Sequence, residues 1–297
     1  MKKIIRIEKV AELLDFLMAA LPDIKRTRLK QHLKHGCISV NHRITTQFNF
    51  QLRPGDELML DTSVARATTS ALQFHLEIIF EDETLLVINK PAGLLTIATD
   101  KIQRETAIFA VNDYLNKKAA QNTRRPEYQK RVFVVHRLDR DVSGLLVFAK
   151  TEKVKLWLQE HWNQFQKEYV AIVEGAPARP RGQVESFLAE MKTLKVYSRP
   201  HSKDPHAKKA VTEYETLQRK GKYSIINIRL KTGRKHQIRV HMAELGCPIS
   251  GDKLYGAKTN PAGRITLHAT RLALRHPVTR EEMVVTSPPP AVFERIA

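Results

Sequence analysis

The stretch VHRLDRDVSGLLVFAK, Val135 to Lys150, decides how this chain is read. An apolar segment, Val132 to Val135, leads into a histidine, two arginines and two aspartates. A second apolar segment, Leu145 to Ala149, runs away from them. Short apolar runs bounded by polar and glycine residues are the pattern of buried strands, and Ser143-Gly144 reads as the turn between them. A carboxylate beside arginines at the mouth of a sheet serves chemistry more often than packing, because charge is costly to bury.

Outward from this stretch, 297 residues exceed one typical domain, so two are expected. An apolar share of 42% suits globular cores. No apolar run reaches the length of a membrane span, so no membrane partner is expected. The start, MKKIIRIEK, has charges but no apolar h-region, and a secretory leader is not expected. Cys37 and Cys247 are too few and too far apart for a zinc site or a disulfide framework. No metal is expected, and a reducing, cytoplasmic setting is. There is no G-x-x-x-x-G-K-[ST] and no strand-linked G-x-G-x-x-G, so a nucleotide or dinucleotide cofactor is not expected either.

Charge is more telling. Lys and Arg number 50 against 31 acidic residues, a net +19. A field of that sign draws in polyanions, and nucleic acid is the leading partner; the competing reading is a basic protein with no such ligand. The excess is not a tail. Residues 1–70 hold 12 basic and 7 acidic residues, a local +5, which leaves +14 for the remainder.

A small polar stretch near 62–72 reads as a linker. This predicts a small domain over 1–62, a linker over 63–74 and a larger domain over 75–297. In the first, Leu13, Leu14, Leu17 and Leu21 share a helical face that ends at Pro22. Leu29 and Leu33 mark a second helix, stopped by Gly36. Lys25, Arg26, Arg28, Lys30, Lys34 and His35 surround that apolar pair, a basic face able to lie along a phosphate backbone or simply to face water. Ile38 to Asn41 alternates like a strand, and RPGD at 53–56 is a turn before Glu57 to Leu60.

In the larger domain, Ile78 to Phe80 and Leu85 to Ile88 are strand-like, and Pro91 and Gly93 end the second strand at Lys90. Thr106 to Lys118 reads as a helix, followed by a basic loop around Arg124 to Pro126. Val154 to Phe165 reads as a helix with a buried aromatic side. KEYVAIV, Lys167 to Val173, alternates as a strand. LKTGRKHQIRVHM, Leu230 to Met242, turns at Thr232-Gly233 and then alternates over Gln237 to His241. His236 and His241 lack a partner at metal spacing. Periodicity alone gives α/β or α+β in two domains.

These motifs resemble those of the RluA-type pseudouridine synthases. The resemblance is carried by HRLD at 136–139, by EDETLLVINKPAG at 81–93 and by the K-x-Y-x-A strand at 167–171. It continues in TGRKHQIRVH at 232–241 and GCPISGDKLYG at 246–256. The chain departs from the family at Val142, where threonine is usual, and at Cys247, where histidine is. The block from about Ile7 to Asp61 similarly resembles the αL RNA-binding domain first recognised in a ribosomal small-subunit protein, with departures at Leu14 and His42.

The resemblance implies an α+β fold: a mixed, largely antiparallel central sheet with flanking helices, plus the small α/β RNA-binding domain. It implies cofactor-free isomerisation of uridine to pseudouridine in structured RNA, large-subunit ribosomal RNA first and transfer RNA second; separately, a monomer is expected. Asp139 is then the catalytic carboxylate, Arg239 the arginine paired with it, and Tyr169 the ring against the base. Tyr169 also becomes a candidate acceptor for the carbon 5 proton, or else a core tyrosine. Arg137 and His136 are candidates to fill the gap left by a flipped base or to grip phosphates. Arg234 is a candidate phosphate contact, and Lys90 either another or an ordinary strand-end lysine. Two other classes compete: a non-catalytic RNA-binding or ribosome-assembly protein, and a methyltransferase or nuclease. The last two would want a glycine-rich loop or clustered carboxylates, and neither pattern is present.

Overall fold

The computed structural model describes every residue except 1, 25, 35, 62–75, 100, 101, 103, 123–130, 192–194, 200–203, 205 and 297. The chain divides into two compact units, Met1–Phe74 and His75–Ala297. The expected linker, 63–74, lies outside the described residues, as do Lys25, His35 and the loop around Arg124 to Pro126.

In the first unit, two helices, α1 (Leu13–Ala20) and α2 (Arg26–Lys34), accompany a four-stranded sheet. Its strands are β1 (Lys2–Arg6), β3 (Ile38–Val40), β4 (Arg43–Ile44) and β6 (Glu57–Asp61), in the order β1-β6-β3-β4, all antiparallel. A short pair, β2 (Ala11–Glu12) with β5 (Gln51–Leu52), completes it. Leu13, Leu14, Leu17, Leu21, Leu29 and Leu33 all enter the core with Ile38, Val40, Leu58 and Leu60. Gly36 ends α2 in a left-handed conformation, φ +65°. Its N–H donates to the Leu33 carbonyl and the Cys37 N–H to the His32 carbonyl, the pair of bonds that closes a Schellman motif. The β3–β4 hairpin turns through Asn41 and His42, both at positive φ, +49° and +63°. Positive φ at both central residues is the type I′ turn, which favours glycine at the second and makes histidine a strained choice there. The Asp56 carboxylate accepts from the Arg53 N–H at 2.7 Å and from Asn41 Nδ2 at 2.8 Å, joining the RPGD turn to the hairpin.

The second unit is one large sheet with helices on it. Its strands are β7 (Glu77–Glu81), β8 (Leu85–Lys90), β9 (Phe133–Val134), β10 (Ser143–Ala149), β11 (Gln166–Glu174) and β12 (Arg181–Glu190). There follow β13 (Val196–Arg199), β14 (Lys208–Lys220), β15 (Tyr223–Leu230), β16 (Leu267–Arg275) and β17 (Glu282–Thr286). The order is β13-β12-β14-β15-β11-β16-β10-β8-β7, with β17 added to β16 and β9 to β10. The helices are α3 (Ala107–Asn122), α4 (Glu152–His161), α5 (Gln237–Glu244) and α6 (Val292–Ile296). Architecture is thus α+β around a mixed, largely antiparallel sheet.

The one parallel junction among the described strands is short: Ser143 opposite His268 and Gly144 opposite Ala269. Here β10 and β16 come so close that a Cβ on Gly144 would lie 2.3 Å from the Ala269 carbonyl oxygen and 2.5 Å from its nitrogen. Gly144 also has φ +114°. Only glycine fits. Ser143-Gly144 is therefore not the turn that the sequence suggests; they begin β10, and the chain turns at Arg140-Asp141. All seven residues of β10 are buried, the mark of a strand covered on both faces. Glu81 of β7 anchors α3 by accepting from Tyr114 and Lys118 and also pairs with Lys150, which holds its carboxyl down at about 2 although burial opposes this.

Candidate active site

Asp139 sits in the loop between β9 and β10, and that loop is pinned on either side of it. Thr96 Oγ1 donates to the Leu138 carbonyl at 2.9 Å and accepts the Leu138 N–H at 3.2 Å. Beyond the aspartate, the Arg140 carbonyl accepts from the Gly93 N–H at 2.8 Å and from Lys90 Nζ at 3.1 Å. Arg140 Nε returns to the Gly93 carbonyl at 3.1 Å. The segment NKPAGLLT thus clamps the backbone at 138 and 140 and leaves the side chain of 139 to face the cleft.

Lys90 belongs to this clamp and not to a phosphate. It is fully buried, and its ammonium donates to three carbonyls: Pro91 at 2.9 Å, Leu94 at 2.8 Å and Arg140. An ammonium has three hydrogens, so none remains for RNA. Burial, with the charge of Arg264 behind it, pushes its pKa down to about 7. His136 is likewise turned inward. Its Nε2 accepts the Val147 N–H at 3.1 Å, and its ring stacks on Trp162 at 4.4 Å. Burial and the Lys167 charge push it down to about 3, so it is neutral and offers phosphate no cation.

The opposite wall is built by α5. Although Gln237 to His241 alternates like a strand, it forms a helix whose residues divide by the helical period. Gln237 and His241, four apart, face the sheet. Gln237 donates to Thr212 Oγ1 at 2.9 Å and to the Val211 carbonyl at 3.0 Å. His241 contacts Ser186 at 3.0 Å and Thr212 at 2.8 Å, and burial pushes it down to about 4. His236 and Arg239, three apart, line the cleft. Arg239 Nε and Nη2 grip Asp252 at 2.6 and 2.9 Å, a bidentate pair in which Asp252 is 1% exposed. The remaining arm, Nη1, donates to Asp139 Oδ2 at 3.2 Å. Burial opposes the guanidinium charge, but the two carboxylates, Asp252 foremost, raise its pKa above the ordinary value. Asp139 Oδ1 has no protein partner among the described residues.

These groups share a cavity of about 1250 Å³, room for a nucleoside and part of its neighbours. Arg137 is exposed on its rim and Arg264 stands in its wall, donating to Ser143 Oγ at 2.6 Å. Tyr169 is not among the lining residues; it lies half-buried on β11, paired with Ala269 and Ile228. Burial first, and the Asp139 charge second, push its phenol above the ordinary value. A phenol kept neutral is poorly suited to take a proton as phenolate, which counts against that part of the sequence expectation. Arg234 lies outside the cavity lining; it is exposed, with Nε on the Lys209 carbonyl at 3.1 Å. Val142 and Cys247, the two departures, are both buried. On the first unit, Arg28 and Lys30 are exposed on α2, Lys30 lying 5.9 Å from the Phe48 ring centre. The side chain of Lys34 lies outside what the structure describes. Among the described residues no three metal-ligating side chains cluster, and no helix is long and apolar enough to cross a membrane.

Sequence reasoning gave no role to Asp252, Tyr255 or Arg264. Asp252 and Tyr255 stood inside a quoted motif, so a signal existed; an isolated arginine at 264 offered none.

Residues 84–244 match the family model described as RNA pseudouridylate synthase. An uncharacterized RNA pseudouridine synthase of Bacillus subtilis is 32% identical over 90% of this chain and 86% of its own length. A ribosomal large subunit pseudouridine synthase D of Haemophilus influenzae is 31% identical over 96% of this chain and 90% of its own. Among solved structures, human RNA pseudouridylate synthase domain containing 4 superposes with a TM-score of 0.59 at 26% identity, covering 77% of this chain and 93% of that one. Fold, pinned aspartate and relatives agree: the chain belongs to the RNA pseudouridine synthases of the RluA type, enzymes that isomerise uridine to pseudouridine in RNA.

Proposed function

We propose that the enzyme acts on uridines of large-subunit ribosomal RNA, with Asp139 as the reacting carboxylate and the first unit as an RNA handle. The observation that carries this is the Asp139 carboxylate itself, in the lining of a nucleoside-sized cavity, with one oxygen held by Arg239 and the other without a protein partner among the described residues. The reaction breaks the bond from ribose carbon 1′ to ring nitrogen 1, turns the ring and joins carbon 1′ to carbon 5; carbon 5 then gives its proton to solvent and nitrogen 1 takes one up. It is redox-neutral within one nucleotide.

A stacked, paired uridine cannot present both atoms, so it must be flipped out at a cost of a few kcal/mol. Arg137, exposed at the cavity rim, is placed to enter the vacated stack or to grip a flanking phosphate. Asp139 Oδ1 either attacks the sugar or ring or takes a proton on the way to a glycal. Arg239 aims the carboxylate, and Asp252 keeps Arg239 from turning. Tyr169 packs against the ring of the uracil as a neutral phenol. Arg28 and Lys30, with Lys34 on the same helix, supply sequence-independent attraction to the phosphate backbone. Arg234 adds to that attraction outside the cavity. A reducing cytoplasm and a monomer complete the reading.

The ribosomal assignment draws its support from the large-subunit synthases that share 31–32% identity over nearly the whole chain. Mapping pseudouridine across total RNA, with and without the gene, tests it. Sites lost from large-subunit RNA uphold the proposal; losses confined to transfer RNA replace the substrate, and no loss anywhere defeats it.

A further inference from the structure

His236 is the first residue of the cleft-facing pair on α5, and nothing in the mechanism above uses it. It is not glycine, yet it holds a left-handed conformation, φ +54° and ψ +15°, as the cap of the helix. Strain of this kind persists where surrounding contacts demand it. Those contacts are polar. His236 Nδ1 lies 2.8 Å from the Tyr255 hydroxyl, and Nε2 lies 3.7 Å from Asp139 Oδ2. The Tyr255 hydroxyl already accepts the Val196 N–H at 3.1 Å. With the Val196 N–H on one lone pair, the hydroxyl's own proton is free to be given to Nδ1. In that arrangement the neutral ring carries its hydrogen on Nε2, the nitrogen nearer Asp139.

We infer that Tyr255 and His236 form a positioning pair for Asp139, in which the tyrosine sets the histidine tautomer and Nε2–H becomes, with Arg239, the second donor on Oδ2. The inference rests on Asp139 being the reacting group. It goes further by assigning the atoms: Oδ2 is the held oxygen and Oδ1 the reacting one. The 3.7 Å gap is longer than a hydrogen bond and closes when substrate fills the cavity, as hydrogen bonds in empty active sites commonly do. Tyr255 is itself fixed, edge-on to His236 and with the Arg239 guanidinium 5.0 Å from its ring centre.

The charges facing His236 come from every side. They are Asp139 from the β9–β10 loop, Asp252 from the 252–255 turn, Lys235 and Arg239 from its own segment, and Lys195 beyond the Tyr255 ring. Burial foremost lowers the imidazole pKa, against the pull of Asp139. Losing the tyrosine proton makes the neutral ring less favourable, so the ring charges at higher pH and draws Asp139 into an ion pair.

The test is Tyr255→Phe, which keeps the ring and removes the hydroxyl, with His236→Asn as a partner variant because asparagine tolerates the left-handed backbone. Both should fold, lose about tenfold in kcat with KM little changed, and bind RNA normally. In Tyr255→Phe the acid limb of the kcat–pH profile should move to higher pH. Nitrogen-15 NMR of the wild-type histidines, assigned by the signal missing from His236→Asn, should show hydrogen on Nε2. Hydrogen on Nδ1, or a Tyr255→Phe enzyme with unchanged kcat and pH profile, overturns the inference. If Asp139→Ala is also active, the fault lies in the Asp139 assignment; if Asp139→Ala is inactive while Tyr255→Phe is untouched, it lies here.

Discussion

The two units carry positive charge in opposite ways. On α2 of the first, Arg28 and Lys30 stand in water without a carboxylate partner among the described residues. In the second, Arg239 is 6% exposed and spends three nitrogens on two carboxylates, while Lys90 is 0% exposed and spends its ammonium on three carbonyls. Exposed charge gives salt-dependent affinity with no fixed geometry. Buried charge is expensive to desolvate and is retained where position matters. If the first unit is the RNA handle proposed above, attraction to RNA and aim at one nucleotide are separable properties.

That separation can be broken first at Arg239. Arg239→Ala leaves Asp252 buried and unpaired, a loss of about 3–5 kcal/mol for a broken buried pair, or on the order of 10 °C in Tm for a domain of this size. Activity should fall by roughly 10²–10³ with the missing donor. Calorimetry and turnover together check it, and a stable, active variant would show that the buried pair is ornamental. Gly144→Ala comes next. Strain at positive φ and overlap with Ala269 should cost about 3–5 kcal/mol, seen as a lower urea midpoint. A neutral result would mean β10 and β16 are not in close approach.

On the exposed side the effects are smaller. Replacing Arg28 and Lys30 together by alanine should weaken RNA binding evenly across sequences and lower the slope of log K against log salt by about 1–2. An unaltered slope would remove the first unit from the RNA contact. Smallest is His42→Gly, which relieves a left-handed histidine in the β3–β4 turn and should raise stability by about 0.5–1 kcal/mol. A melt of the first unit's transition reads it, and destabilisation would contradict the strain.

How much could be read from sequence follows the same division. The end of β8 at Lys90, the stop at Gly36 and the proximity of Asp139 and Arg239 were legible, because local backbone chemistry and motif position determine them. Ser143-Gly144 was misread as a turn since the reason for glycine lies 125 residues away, on β16. Lys90 and His136 were misread as RNA contacts because residue type announces charge but not the carbonyls and N–H that consume it. Gln237 to His241 alternates in sequence yet is buried on nearly all sides, so period could not separate strand from helix. Asp252 stood inside the motif at 246–256, but nothing in the sequence shows that it grips Arg239, thirteen residues before it.

In the proposed reaction one carboxylate oxygen of Asp139 does the chemistry while the basic surface does the holding. Asp139→Ala, assayed by tritium release from carbon 5 of labelled uridine alongside RNA binding, tests both halves in one preparation. No release above background is expected, with affinity kept within about threefold, a difference under roughly 1 kcal/mol. Wild-type release from that variant would contradict it.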